Sequence, residues 1–313
     1  MARFLVTGGA GFIGSALVNR LLDLGHSVRV VDNFSTGFKS NLENCLDRID
    51  LVEGDLAEPG LCQACVQGVE YVLHQAAIPS VQRSLEDPIS SNRANVNATL
   101  NMLVAARDAE VTRFVFASSS SVYGESETLP KLETMPENPL SPYALTKFTG
   151  EKYCVVFHRI YGLPTVALRY FNVFGPRQAS HSPYSGAISR FVETALRGGR
   201  PVVYGDGEQS RDFTYVDNVV EANLLACFAQ DATGMVFNVG TGQRHSLNDL
   251  LSALSAIVGW PLQPEYAKAR LGEVRHSQAG IEKARRLLRF EPNVGFQAGL
   301  ERTVDWFRRC VKL

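Results

Sequence analysis

The chain has 313 residues, 45% of them hydrophobic and 20% charged, and its 31 basic and 32 acidic residues leave a net charge of −1. With no lysine- or arginine-rich run, it offers no electrostatic support for a nucleic-acid or membrane-surface partner, and no apolar run reaches the roughly 18 residues of a membrane span. The length suits two domains, or one large α/β domain with an annex.

The elements begin with RFLVT (3–7), a short apolar strand that runs into VTGGAGFIG. The opening MARFLVTGG has no long apolar segment followed by a cleavage site, so no signal peptide is expected and the chain reads as cytoplasmic. The glycine run satisfies G-x-G-x-x-G with Gly9, Gly11 and Gly14, and G-x-x-G-x-x-G with Gly8, Gly11 and Gly14. Residues without Cβ let the backbone approach a pyrophosphate, and the following helix N-terminus supplies oriented N–H groups and partial positive charge. Taken alone, the pattern also fits a glycine-rich turn with no ligand. The helix IGSALVNRLLDLG follows, with Gly25 as a plausible C-cap, and then the strand SVRVVD (27–32). Asp32 closes that strand 18 residues beyond Gly14, near the roughly 20 expected of an acid that binds a ribose diol. A carboxylate there repels a 2′-phosphate, and DNFSTG holds no arginine to receive one. NAD rather than NADP is the expected cofactor.

Further strands are expected at IDLVEGD (49–55), VEYVLHQAA (69–77), RFVFASS (113–119) and PTVALRYF (164–171). NVNATLNMLVAARDA and YALTKFTGEKYCVVFHRIYG read as helices between them. The alternation argues an α/β fold, a Rossmann-like doubly wound parallel sheet covered on both faces. The dinucleotide-binding domain is expected to span 1–171, with segments near 212–240 returning to it. A smaller, mixed substrate domain is expected over 172–313. There FGPRQASHSPYSG, RGGRP and YGDGEQS are loops suited to a small molecule, and KARRLLRFEPN and GLERTVDWFRRCV read as amphipathic helices. The six cysteines (45, 62, 65, 154, 227, 310) are dispersed and read as reduced thiols. Cys62 and Cys65 form a CxxC without a second half-site, so they read as packing positions on a helix and no metal is expected.

FVFASSSSVYGE ends a strand on four serines, which suggests either a polar turn or hydroxyls placed for chemistry. SPYALTK sets Tyr143 and Lys147 at i and i+4, on one helix face. An ammonium beside a phenol favours the phenolate and lowers its pKa from the ordinary value near 10, which makes a credible acid/base for a sugar or alcohol hydroxyl. Such a pair also arises by chance on amphipathic helices; the glycine loop, Asp32 and the serines reverse those odds.

With VTGGAGFIGS, VVDNFSTG, HQAAIPSVQRS, SSSSVYGE, SPYALTK, LRYFNVFGPRQ, YGDGEQSRDFTYVDN and NVGTG, the sequence resembles, over nearly its whole length, the extended short-chain dehydrogenase/reductases. Within them it is similar to the NAD-dependent nucleotide-sugar epimerases and dehydratases, above all UDP-hexose and UDP-N-acetylhexosamine 4-epimerases. The resemblance implies Ser119, Tyr143 and Lys147 as catalytic residues, Ser119 being three before Val122. It implies NAD along Gly8, Gly11, Phe12, Ile13, Gly14, Asp32, Asn33, Ser35, Thr36 and Gly37. Asp55 and Leu56 would line the adenine, with Gln75, Ala76 and Ala77 along the cofactor. Ser118 would lie near the nicotinamide, and Asn95 and Tyr170 would complete the site. Relatives that dehydrate carry Asp-Glu at 120 and 121, and relatives that decarboxylate carry Glu at 121. Serines there exclude that acid/base work, and strand-end capping is their expected role.

The same resemblance implies a UDP-sugar substrate held by Asn172, Tyr204, Arg211 and Arg270, with Tyr204 stacking on the base. Arg270 also reads as a solvated surface charge, and Glu273 and Gly280 depart from the common pattern around it. Glucose/galactose-restricted relatives place a tyrosine seven residues after the equivalent of Arg270. Ser277 stands there and leaves volume for a 2-acetamido group, with Ser80 and Gln178 lining the same pocket. The expectation is interconversion of UDP-GlcNAc with UDP-GalNAc, and of UDP-Glc with UDP-Gal, through a transient 4-keto sugar. A homodimer is implied through helices near 95–108 and 143–160. The alternatives are a UDP-uronate 4-epimerase or another nucleotide-sugar enzyme of this fold, and a non-enzymatic NAD-binding sensor.

Overall fold

The computed structural model describes residues 1–180, 186–268 and 274–310. Its strands are β1 (Arg3–Thr7), β2 (Ser27–Asp32), β3 (Ile49–Glu53), β4 (Tyr71–His74), β5 (Arg113–Ser119), β6 (Thr165–Tyr170), β7 (Val173–Phe174), β8 (Val202–Tyr204), β9 (Ser210–Arg211), β10 (Thr214–Tyr215), β11 (Met235–Val239), β12 (His245–Ser246) and β13 (Glu265–Ala267). Its α-helices are α1 (Phe12–Asp23), α2 (Pro59–Cys65), α3 (Val81–Glu86), α4 (Pro88–Asn92), α5 (Ala98–Asp108), α6 (Pro142–Tyr161), α7 (Ala187–Leu196), α8 (Val216–Phe228), α9 (Leu247–Val258), α10 (Glu282–Leu288) and α11 (Phe296–Cys310).

Seven strands form one sheet in the order β11-β6-β5-β4-β1-β2-β3, every pair parallel. Alternate residues of one strand enter opposite cores, as the two-residue period of a strand requires. Phe4, Val6, Val28, Val30, Val115, Val166 and Leu168 pack with Leu17 and Leu21 of α1 and with Val219 and Ala222 of α8. Leu5, Val31, Val72, Phe114, Phe116 and Ala167 pack on the other face with Met102 and Leu103 of α5, Phe157 of α6, and Cys62 and Cys65 of α2. The CxxC is thus spent on packing. Cys45, Cys62, Cys65, Cys154 and Cys227 are buried free thiols, and Cys310 is exposed.

The strand order reverses between β1 and β4, the crevice where open α/β sheets bind ligands. Strand β4 ends at His74, short of the expected 77, for a visible reason. The Gln75 N–H still reaches Thr7 O at 3.2 Å, but the Ala76 N–H turns aside to Thr7 Oγ1 at 3.1 Å. Residues 75–77 therefore leave the ladder and run along the crevice. The β11 segment rejoins the sheet beside β6, so residues 235–239 belong to the same sheet as 3–7.

A further core gathers Phe174, Phe191, Phe213, Tyr215, Leu250 and Leu300 around α7, α9 and α11, with Phe12, Ile13 and Ala16 of α1 packed against it. Short two-stranded sheets knit this half together: β10–β7 and β13–β8 parallel, β12–β9 antiparallel. Among the described residues, no helix is long and apolar enough to cross a membrane.

Candidate active site

Gly8 takes φ +65°, and a Cβ there would meet the Ala76 backbone at 2.8 Å. A Cβ on Gly14 would stand 2.1 Å from Gly8 O. These contacts explain why the loop needs glycine: it is folded against its own helix and against residue 76. Gly11 is the N-cap of α1 and no side chain caps it, so the first-turn N–H groups at Phe12, Ile13 and Gly14 are presented for an anion.

Asp32 is buried, with Oδ2 accepting the Ala10 N–H at 2.9 Å and Oδ1 the Phe34 N–H at 2.8 Å. Desolvation raises its pKa above the ordinary carboxylate value, against the pull of those N–H groups. The turn after it is tight. Asn33 Oδ1 accepts the Ser35 N–H at 3.1 Å. Thr36 follows, and a Cβ on Gly37 would lie 3.0 Å from Asp32 Oδ2. The glycine cradle, uncapped helix terminus and buried acid are a donor and acceptor set that fits a dinucleotide.

Other expected cofactor residues are joined to one another. Tyr170 donates its hydroxyl to Gln75 Oε1 at 3.1 Å and accepts from Asn223 Nδ2 at 2.8 Å. Asn95 is buried; its Oδ1 accepts the Ile78 N–H at 2.7 Å, and its Nδ2 donates to Thr146 Oγ1 at 3.0 Å. Asp55 Oδ1 accepts the Ala57 N–H at 2.9 Å, and Leu56 is buried beside it. Ala77 is half-buried at the end of the 75–77 segment.

Ser119, at the end of β5, stands close enough to Tyr143 to lower the pKa of its phenol. Tyr143 stands in the first turn of α6, whose start is fixed by Ser141 Oγ accepting the Ala144 N–H at 3.1 Å and by Pro142 in the first turn. Its own N–H donates to Ser84 Oγ at 3.0 Å, which ties α6 to α3. Lys147 is buried one turn on, donating Nζ to Ala117 O at 2.8 Å.

The electrostatics correct one expectation. Burial raises the Tyr143 phenol above its ordinary value, and only the nearby Ser119 opposes it. Lys147 spends its ammonium on a carbonyl, and burial lowers its own pKa to about 8.

The strand-end cap is a second correction. Ser119, not Ser120 or Ser121, caps the 3-10 turn Ser120–Tyr123, its Oγ accepting the Ser121 N–H at 3.2 Å. Ser121 in turn donates its hydroxyl to Ser119 Oγ at 2.9 Å. Ser118 turns inward and donates to Glu151 Oε2 at 2.9 Å.

On the substrate side, Arg211 Nη1 donates to Ser210 O and Arg275 O, both at 3.0 Å. The Ser277 N–H donates to Ser210 O at 3.0 Å, so Ser277 and Arg211 share one corner. Tyr204 ends β8, where its carbonyl accepts Gln209 Nε2 at 2.6 Å. Asn172 adopts φ +31°, uncommon for a residue with a side chain. Gln178 donates Nε2 to Val173 O at 3.0 Å, and its buried Oε1 has no hydrogen-bond partner among the described residues. Ser80 caps α3, its Oγ accepting the Arg83 N–H at 3.1 Å. Arg270 and Glu273 lie outside the described residues. Gly280 is pressed on Lys131 O, 3.0 Å from where a Cβ would stand.

Sequence reasoning missed the buried support of the site. Glu151 and Arg169 form an ion pair at 2.6 Å, with 0% and 1% side-chain exposure, directly behind Ser118. Asp212 accepts N–H groups from Thr241, Gly242 and Ala279 at 2.8, 2.9 and 3.1 Å, which anchors the strand that carries Arg211. The available signal was spacing: Glu151 lies four residues past Lys147, on the same helix face.

Comparison with known proteins agrees with this geometry. The model of the NAD dependent epimerase/dehydratase family matches residues 4–240. UDP-glucose 4-epimerase of Mycolicibacterium smegmatis is 39% identical over 310 residues, covering 98% of each chain. The structure of UDP-N-acetylglucosamine 4-epimerase from Methanobrevibacter ruminantium, in complex with UDP-N-acetylmuramic acid, superposes with a TM-score of 0.95 at 38% identity, covering 99% of each chain. UDP-glucuronic acid 4-epimerase from Bacillus cereus, in complex with UDP-glucuronic acid and NAD, gives 0.91 at 33% identity, covering 99% of this chain and 100% of that one. These relatives are UDP-sugar 4-epimerases, which are isomerases. The cradle at the β1–β4 crevice and a family match over most of the chain lead to one conclusion: the protein belongs to the NAD dependent epimerase/dehydratase family, and NAD is its cofactor.

Proposed function

We propose that the protein is a UDP-sugar 4-epimerase that interconverts UDP-GlcNAc with UDP-GalNAc and also UDP-Glc with UDP-Gal. The observation that carries this reading is that Ser119, at the carboxyl end of β5, stands close enough to Tyr143 of α6 to lower its phenol pKa. Serines at 120 and 121, where dehydrating or decarboxylating chemistry needs carboxylates, leave a site equipped for proton exchange at one hydroxyl.

NAD, when bound, supplies reversible hydride acceptance at sugar C4. The residues of the chain handle the proton. Ser119 bridges the sugar 4-hydroxyl to Tyr143, which acts as the phenolate: it takes that proton as C4 becomes a ketone and returns it after the 4-keto sugar has presented its other face. Lys147 holds positive charge at the end of β5. Arg211 offers a fork suited to a diphosphate. The half-buried Ser277, beside Arg211, supports room for a 2-acetamido group.

A homodimer belongs to the same reading. The apolar runs at 100–106 and 153–157 go largely to the core: Met102, Leu103, Cys154 and Phe157 are buried. The outward row on α6 is instead Leu145, Val156 and Ile160, exposed at 52%, 48% and 65%, and Leu85 and Ile89 on α3 and α4 are exposed too. A second copy of the chain fits that row. A cytoplasmic setting suits the five buried free thiols.

The test is proton NMR of the anomeric signals after separate incubation with UDP-GlcNAc, UDP-Glc and UDP-GlcA. Appearance of UDP-GalNAc supports the full reading, and turnover of UDP-Glc alone removes the acetamido pocket. Turnover of UDP-GlcA alone moves the protein to the uronate epimerases. Tyr143→Phe should abolish turnover while leaving NAD bound. A sensor would show no turnover to lose.

A further inference from the structure

A single line of hydrogen bonds crosses the apolar core between β1, β4 and α5. The Ala76 N–H donates to Thr7 Oγ1 at 3.1 Å. Thr7 Oγ1 lies 2.8 Å from His74 Nδ1, and His74 Nε2 lies 3.0 Å from Thr99 Oγ1. Thr99 Oγ1 lies 2.6 Å from Asn95 O. Thr7, His74 and Thr99 are all buried, at 0%, 0% and 1% exposure.

Proton counting fixes the direction of this line. Each hydroxyl carries one proton, and a neutral imidazole carries one on either nitrogen. Asn95 O can only accept, so the Thr99 hydroxyl gives its proton there. Thr99 Oγ1 must then accept from His74, which places the ring proton on Nε2. His74 Nδ1 is left as an acceptor for the Thr7 hydroxyl, while Thr7 Oγ1 accepts from the Ala76 amide. The opposite tautomer would leave the buried Thr7 hydroxyl proton with nowhere to go, which is costly.

We infer that His74 is held as the neutral Nε2–H tautomer and is a positioning residue that keeps the cofactor cradle and the catalytic helix in one register. Thr7 immediately precedes Gly8, and Ala76 is the residue on which the Gly8 turn rests at 2.8 Å. From Asn95 the network continues through its side chain. Nδ2 donates to Thr146 Oγ1 at 3.0 Å, and Thr146 donates to Tyr143 O at 2.7 Å. Asn95 also grips Ile78 through both its N–H and C=O, at 2.7 and 3.3 Å. Two sets of hydrogen bonds, joined covalently through Asn95, therefore connect the strand entering the glycine loop to the backbone of Tyr143. The ring sits between Phe114 and Phe116, at centroid distances of 5.5 and 6.0 Å. Burial, with the nearby charge of Lys147 adding to it, pushes its pKa down to about 3, so the ring stays neutral. The inference rests on the epimerase reading only for the role of Tyr143.

Long-range proton–nitrogen correlation NMR on the purified protein reads the tautomer directly, the His74 signals being those absent from His74→Gln. The expected result is a pyrrole-type Nε2 and a pyridine-type Nδ1; the reverse assignment overturns the inference. Calorimetric titration of cofactor-stripped protein with NAD tests the positioning. His74→Leu and Thr99→Val should each weaken NAD binding by about 10- to 100-fold and lower kcat by a similar factor. His74→Gln, whose amide can accept and donate in the same sense, should recover most of both. If folded His74→Leu and Thr99→Val keep NAD affinity and kcat within about twofold of the parent and lose only thermal stability, the positioning role is wrong. Should His74→Leu not fold, Thr99→Val and the parent spectrum decide it. The spectrum and the NAD titration need no sugar, so they stand even if the parent protein proves inactive on UDP-sugars.

Discussion

Ser121 gives its hydroxyl proton to Ser119 Oγ at 2.9 Å, and Ser119 is the residue that lowers the Tyr143 phenol pKa. With that lone pair taken, the Ser119 hydroxyl is held in a set orientation, which in the proposed function is the one that meets the sugar 4-hydroxyl. Ser121→Ala should therefore lower kcat by about 3- to 10-fold, the worth of one hydrogen bond, with KM little changed. Steady-state kinetics on a UDP-sugar measures this. A raised KM with unchanged kcat would assign Ser121 to substrate binding instead.

The buried ammonium of Lys147 has a stability signature. Its pKa is lowered from 10.5 to about 8 by burial, so between those values the unfolded chain binds the proton more tightly than the folded one. Stability should then rise with pH through this window, because the cost of burying the charge disappears as Lys147 deprotonates. The contribution is on the order of 3 kcal/mol. Denaturant midpoints of the parent and of Lys147→Met, at about pH 7.5 and about pH 10, isolate it as a difference between the two proteins. Parallel pH dependences would show that Lys147 does not titrate there.

Glu151 and Arg169 form an ion pair with almost no exposure, and Glu151 also receives the Ser118 hydroxyl. Glu151→Ala would leave the Arg169 guanidinium in the core with Glu137, at 2.7 Å, as its remaining carboxylate partner, and should cost about 3 kcal/mol. Glu151→Gln keeps acceptors for Ser118 and Arg169 and should cost less. Thermal unfolding ranks the two, and equal small losses would show that water enters and relieves the charge.

Ser277 is tied to Ser210 through its backbone, which a side-chain exchange leaves intact. Ser277→Tyr should remove most activity on UDP-GlcNAc while sparing UDP-Glc, a discrimination of at least about 10-fold in kcat/KM. Equal loss on both sugars would mean that Ser277 does not face the 2-position.

Local patterns along the chain carried the sheet, the glycine loop, Asp32, the start of α6 and the Tyr143–Lys147 spacing. Each depends on backbone conformation and periodicity over a few neighbours: glycines at a strand-to-helix turn, apolar runs of five or six residues, Ser-Pro before a helix. Tertiary structure alone decided what those groups touch. It turned Lys147 onto Ala117 and let burial raise Tyr143, because desolvation depends on every element packed around a side chain. It made Ser119 the cap, and aimed Ser118 at Glu151, which lies 33 residues away in sequence. It also brought Thr7, His74 and Thr99 into one line across two strands and a helix. Hydrogen bonds of that kind join residues 25 and 67 apart, and no local spacing encodes them.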